Sequence, residues 1–339
     1  MNWSYCRCVV LLLVSSALIL TSCEDEATEP EETEEEYEFT IVEGNFVDPS
    51  LINDPITGEL ILFYLPGIIG SNPAGCPDSD DDGEDDYPCT KYIRSAVTVL
   101  SNDSMYVIDG DRVEKEISSG TFSDPDIITD GMGTYFLYVS EGQSVRVYTS
   151  GGLDDTFEEQ GLASNGQGGV PSGIHFGENE FRLFVTTRNC DNSESCIKRG
   201  TSSDGISFVG PTDSTFSEID IHDGTEEREY ADPSIIPWPW IEGECSAADT
   251  GYQYLFAYHY CDSGDCSQPT NHMVGLAGTD NGTDFYPITG FETFAGSVPD
   301  IIVHDGAVFM MFTANQSVNW KKFNACFEVN DEGYAYLYE

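Results

Sequence analysis

Positive charge is scarce in this chain. Its 339 residues hold 13 Lys and Arg against 61 Asp and Glu, a formal net charge of −48. Affinity for nucleic acid rests on Lys and Arg displacing counterions from phosphate, so this balance argues against a DNA- or RNA-binding role. It argues equally against docking to anionic lipid through a basic patch. Amphipathic helical periodicity is hard to find anywhere. No Cys-x-x-Cys pair occurs, and no His stands at ligand spacing from a cysteine, which disfavours a structural zinc site. No Gly-x-Ser-x-Gly elbow is present, and the five histidines (175, 222, 259, 272 and 304) are scattered, without a nucleophile triad around them. What the chain does have is a core: 40% of its residues are hydrophobic and 12% aromatic, so its acidity does not signal global disorder.

The first segment reads as an address. Arg7 gives a weakly positive start, and Val9 to Leu20 form an apolar stretch too short to span a bilayer comfortably. Leu20-Thr21-Ser22-Cys23 then resembles a bacterial lipobox, in which the chain is cut before the Cys and the thiol is lipidated. Residues 1–22 are therefore expected to be a lipoprotein signal peptide, with an ordinary secretory signal as the competing reading. Glu24 to Glu36 carries almost no apolar side chains, so residues 23–36 are expected to form a solvated acidic tether. Acids straight after a lipidated Cys also look like export signals to the outer cell surface. These features imply a membrane attachment through Cys23 at the bacterial cell envelope, at the outer membrane.

Beyond Cys23 remain cysteines 76, 89, 190, 196, 245, 261, 266 and 326, an even set for an oxidising compartment. Cys76/Cys89, Cys190/Cys196 and Cys261/Cys266 each bracket a short polar loop. Local pairing is the simplest of many connectivities, and it leaves Cys245 and Cys326 to join distant parts of the chain.

The remainder, residues 37–339, repeats itself. Five stretches share an Asp-Pro or Val-Pro step, a small or acidic residue, a β-branched run, a polar turn and an aromatic-rich strand. Asp48-Pro49-Ser50 leads to Leu60–Tyr64, Asp124-Pro125-Asp126 to Tyr135–Val139, and Val170-Pro171-Ser172 to Phe181–Thr186. Asp232-Pro233-Ser234 leads to Tyr252–Tyr258, and Val298-Pro299-Asp300 to Val308–Thr313. The prolines lie 76, 46, 62 and 66 residues apart, a spacing that suits four-stranded sheets with variable loops. Asp204-Gly205 and Asn281-Gly282 mark hairpins, since both turn residues tolerate positive φ. The expected fold is all-β, a five-bladed β-propeller, with a β-sandwich as the competing reading. The last blade has little chain left. Asn324–Val329 and Tyr334–Tyr338 read as two further strands, and Tyr37–Val42 is a candidate outer strand clasping the two ends.

Five blades, each opened by such a step, resemble the propellers of glycoside hydrolase family 43, with fructan- and mannoside-processing propellers as cousins. The resemblance covers roughly residues 40–339 and implies an inverting glycosidase acting on carbohydrate as a monomer. It places the general base on Asp48 and, on Asp124, a carboxylate that tunes the acid and holds the sugar. The family's general acid, a Glu two places before the third proline, falls on Gly169. Protonating a poor leaving group is worth about 10²–10⁴-fold, so the departure is serious. Glu226, Glu227 and Glu229 are the nearest alternative supply, with Glu178 and Glu180 as a second. The competing reading is that Asp48, Asp124 and Asp232 are structural, each accepting backbone N–H groups, on a non-catalytic glycan-binding or protein-interaction module with a decayed active site.

Aromatic rings stack on the apolar faces of sugars while polar groups meet their hydroxyls, so Trp238, Trp240 and Tyr230, together with Asp232, are candidate substrate contacts, with packing between blades as the alternative for the rings. No cofactor is required by this chemistry. One insert, Asp78-Ser79-Asp80-Asp81-Asp82-Gly83, has the Asp-x-Asp-x-Asp-Gly order of calcium loops, making Asp78, Asp80 and Asp82 candidate Ca²⁺ ligands. The twelfth position is Cys89, where a calcium loop has a bidentate Glu, and a merely solvated acidic loop is the other reading.

Overall fold

A computed structural model describes residues 46–338 apart from 67–73, 78–85, 100–103, 109, 178, 191–193, 211–214, 226–227, 239–251, 263–270, 289–290, 315–316, 324–325 and 330–334. The expected lipobox, tether, clasp strand and calcium loop lie outside the described residues, as do Trp240, Cys245 and Cys266. The fold is an all-β propeller of five blades, with no α-helix among the described residues. Each blade begins with an inner strand: Phe46–Asn53 (β1), Ser123–Thr129 (β6), Gly169–His175 (β10), Arg228–Pro237 (β15) and Ser297–His304 (β20). Each inner strand pairs antiparallel with the next strand in sequence, and each contacts the inner strand of the following blade; β20 returns to β1 and closes the ring.

The second strands explain why the aromatic runs look continuous. In Leu60–Pro66, Leu60, Leu62 and Tyr64 pack against the fifth blade, while Ile61, Phe63 and Leu65 pack against the second. The alternation of a strand is intact, but both faces are buried, so both are apolar. Ala307–Ala314 repeats the pattern, with Val308 and Met310 facing the fourth blade and Phe309 and Met311 the first. Five hydrophobic clusters result, one in each interface between blades. Truncating a wholly buried ring such as Phe63 to Ala should cost about 3–5 kcal/mol.

Every Asp-Pro or Val-Pro step is a β-bulge. Register breaks between Val47 and Ser50, Ser123 and Asp126, Gly169 and Ser172, Ala231 and Ser234, and Ser297 and Asp300. Proline has no N–H for the ladder, and the extra residue of a bulge accommodates that loss. The residue before each proline takes a left-handed conformation: φ is 51° at Asp48, 49° at Asp124, 48° at Val170, 48° at Asp232 and 49° at Val298. Asp tolerates this region; a β-branched Val does so only under strain.

The residue after each proline forms a closed belt. Ser50 Oγ accepts Ile127 N–H at 3.1 Å, Asp126 Oδ2 accepts Gly173 N–H at 2.7 Å, and Ser172 Oγ accepts Ile235 N–H at 3.3 Å. Ser234 Oγ accepts Ile301 N–H at 3.1 Å and donates to Asp300 Oδ1 at 2.8 Å. Asp300 Oδ2 then accepts Leu51 N–H at 2.6 Å, joining the last inner strand to the first. Each blade thereby satisfies a backbone donor that its neighbour's bulge leaves open.

Two expected disulfides are present, Cys76–Cys89 and Cys190–Cys196, and Cys261 is also disulfide-bonded. The two late strands also form, as Cys326–Val329 paired with Ala335–Tyr338.

Candidate active site

The five bulges line a narrow channel, walled by Asp48, Asp124, Val170, Asp232, Val298 and their prolines. At Asp124 and Val170 it meets a wider cavity of about 500 Å³. Blade two contributes Asp124, Ser140 and Gln143 to that cavity, and blade three Gly169, Thr186, Thr187, Arg188 and Glu194. Blade four contributes Glu229, Ala231, His259 and His272.

The sequence-predicted carboxylates Asp48, Asp124 and Asp232 come together around the channel. Burial and then the facing Asp124 carboxylate hold the Asp48 carboxyl well above the usual range, against the Asp124 N–H that bonds it. Burial likewise pushes Asp124 up to about 6, although the Ser123 hydroxyl donates to its Oδ2 at 2.6 Å. Asp232 goes the other way. Burial works upward there too, but His259, with Nδ1 2.6 Å from Asp232 Oδ2, holds the carboxyl below its usual value. Asp232 also accepts the Val298 N–H at 3.2 Å. The three acids thus each have partners, a backbone N–H at Asp48, serine hydroxyls at Asp124, and His259 with a backbone N–H at Asp232, and they differ in charge state: one is ionised and paired, and two retain a proton to higher pH. Paired carboxylates with separated proton affinities are the chemical requirement for acid–base work on a glycosidic bond.

Two aromatic expectations are corrected. Trp238 is buried between the fourth and fifth blades, with its ring 5.7 Å from that of Tyr252. It follows the end of β15, five residues past Pro233, so a strand rise of about 3.3 Å per residue carries it to the far end from the cavity. Tyr230 faces away from the cavity, because its hydroxyl donates to Asp223 Oδ2 at 2.7 Å and its ring packs edge-on against Tyr258. Glu180 is also excluded as an acid: it pairs with Arg182 at 2.7 Å in the hairpin at the far end of blade three. Glu178, Glu226 and Glu227 lie outside the described residues.

Sequence reasoning missed the imidazoles. His259 and His272, 13 residues apart, stack in the cavity wall with centroids 4.6 Å apart. Only the pairing of strand Tyr254–Asp262 with Met273–Thr279 brings them together, so no local spacing announces them. A third imidazole joins Asp220 and Asp284 on the exposed outer edge of blade four, with His222 Nε2 3.3 Å from Asp284 Oδ1.

The third blade has no room for the expected acid. A Cβ at Gly169 would stand 2.8 Å from the Gly142 carbonyl oxygen and 3.1 Å from Ser140 Oγ. Glycine there lets the blade-two hairpin approach.

No protein-family profile and no curated protein sequence matches the chain. Solved structures do. An endo-arabinase from Bacteroides thetaiotaomicron aligns with a TM-score of 0.54 at 13% identity, over 86% of this chain and 98% of that one. This chain shares the five-bladed propeller fold of that structure. The GH43_1 enzyme from Xanthomonas citri aligns at 0.53 and 10% identity, over 89% and 95% of the two chains. An exo-1,5-α-L-arabinanase from a bovine ruminal metagenomic library aligns at 0.51 and 13%, over 88% and 98%. The shared fold is what these likenesses establish: a ring of five blades around one channel, on which this chain places its three Asp-Pro carboxylates.

Proposed function

We propose that this chain is an envelope-anchored, carbohydrate-active propeller that binds a poly- or oligosaccharide at the channel mouth and hydrolyses it with inversion. The observation that carries the reading is the convergence of Asp48, Asp124 and Asp232 on one channel that opens into a cavity rich in carboxylate, imidazole and hydroxyl groups. In this reading Asp48 is the base that takes a proton from the attacking water, and Asp124 holds Asp48 through its N–H and meets the sugar. The protein acts as a monomer, without nucleic acid, on the outer membrane through a lipid on Cys23. Release of reducing sugar from arabinan, xylan or fructan, abolished in Asp48→Ala, is the expected result.

The second reading, a glycan-binding lipoprotein without catalysis, is favoured by one observation: the packing at Gly169 leaves no room for an acid at the position where the resemblance expects one. Glycan binding with no release of sugar by the wild-type protein would establish it in place of the first.

A further inference from the structure

Among the described residues, the acids with the lowest whole-residue exposure are Asp126, Glu229, Asp232 and Asp300. Three are satisfied. Asp126 accepts the Gly173 N–H, Asp232 meets His259, and Asp300 accepts both the Leu51 N–H and the Ser234 hydroxyl. Glu229 is 8% exposed, yet its carboxylate has no hydrogen-bond donor or cation beside it, and it lines the cavity. Its oxygens are not sealed in the interior but face the cavity, where no protein group among the described residues occupies them and a bound hydroxyl or glycosidic oxygen can meet them.

The strand around it shows that its direction is built in. Arg228 and Tyr230 both bond Asp223, at 2.7 Å each, so they share the outer face of the inner strand. Alternation then turns Glu229 and Ala231 to the opposite face, where both line the cavity with His259. In ring order the cavity wall runs from blade two to blade four. Asp124 stands on one side, Gly169 and Val170 in the middle, and Glu229 on the other. Glu194, also at the cavity, is exposed and lies between Cys190 and Cys196, whereas Glu229 is fixed on the inner strand.

We propose that Glu229, supplied by blade four, is the proton donor that replaces the carboxyl missing at Gly169. The inference rests on the hydrolase reading above. The Glu229 carboxyl gives its proton to the glycosidic oxygen as the bond from that oxygen to the anomeric carbon breaks. Water forms the new bond to that carbon from the opposite face and loses a proton to the Asp48 carboxylate. Glu229 is left ionised and Asp48 protonated, and exchange with solvent resets both.

The test compares wild type with Glu229→Gln on two substrates: whichever of arabinan, xylan and fructan the wild type cleaves, and the 2,4-dinitrophenyl glycoside of the same sugar. The dinitrophenolate leaves without protonation. The substitution should therefore lower polysaccharide cleavage about 10²–10⁴-fold and lower dinitrophenyl glycoside cleavage less than tenfold, with the melting temperature unchanged. Equal losses on the two substrates, or no loss on either, overturn the proposal. A wild type that binds one of these glycans in titration calorimetry but cleaves neither substrate overturns it while leaving the carbohydrate reading intact. A wild type that neither binds nor cleaves overturns both.

Discussion

At the residue scale, the position before each proline shows how one backbone shape carries two chemistries. Val170 and Val298 adopt the same left-handed φ as Asp48, Asp124 and Asp232, so the shape belongs to the ring and the side chain is free to vary. The strain is removable: Val298→Asn should stabilise the protein by about 1 kcal/mol in urea denaturation, because Asn visits this region and Val does not. A decrease would show that the Val side chain contributes more than its backbone costs. Gly169 gives the reverse case. Gly169→Glu puts a carboxyl where the sequence resemblance expects the acid, but it drives a side chain into the Gly142 carbonyl. It should cost about 1–3 kcal/mol of stability and add no hydrolytic activity; a gain in sugar release would contradict the assignment of the acid to blade four. The Asp-Pro column was legible because it recurs in sequence. The belt one residue further on was not, since Ser50, Asp126, Ser172, Ser234 and Asp300 share no residue type, only an acceptor oxygen.

At the element scale, the second strands were legible to within a few residues, and for a physical reason. A strand buried on both faces is apolar along its buried stretch, as Leu60–Leu65 and Tyr135–Val139 are. The blade-four pair was harder, because its aromatic run extends to Asp262 and carries both core rings and the cavity imidazole His259. Cavity walls are built from connections as well as strands. The Cys190–Cys196 bond closes the loop that carries Glu194 and Ser195 to the cavity. Replacing both cysteines with Ser should cost about 2 kcal/mol, the loop-closure value for so short a ring, and should weaken glycan binding measured by titration. Unchanged affinity would place that loop outside the sugar site. Trp238 was misjudged because its neighbours in sequence are loop-like, whereas its position at the far end of β15 seats it between blades.

At the scale of the whole molecule, ring closure concentrates acids where water is excluded. Burial pushes Asp300 up to about 7 and Asp124 up to about 6, and holds Asp126 well above its usual value. An unfolded Asp titrates near 3.9, so the folded chain binds more protons between roughly pH 4 and 7. Stability from these groups is therefore full below about pH 4 and is lost as pH rises towards 7. The melting temperature should fall between pH 5 and 7.5 in calorimetry, and Asp300→Asn, which keeps an acceptor for Leu51 N–H, should flatten that fall; a melting temperature that rises across this range would refute the burial account. The net charge of −48 belongs to the whole chain, whereas the carboxylates with chemical potential are the few that the ring gathers around its channel. The most direct test of the central claim is the crystal structure of the protein soaked with the oligosaccharide it binds most tightly. The account predicts a sugar in the cavity between Asp124 and Glu229, within hydrogen-bond reach of both. A sugar bound elsewhere on the propeller, with that cavity filled only by water, would contradict it.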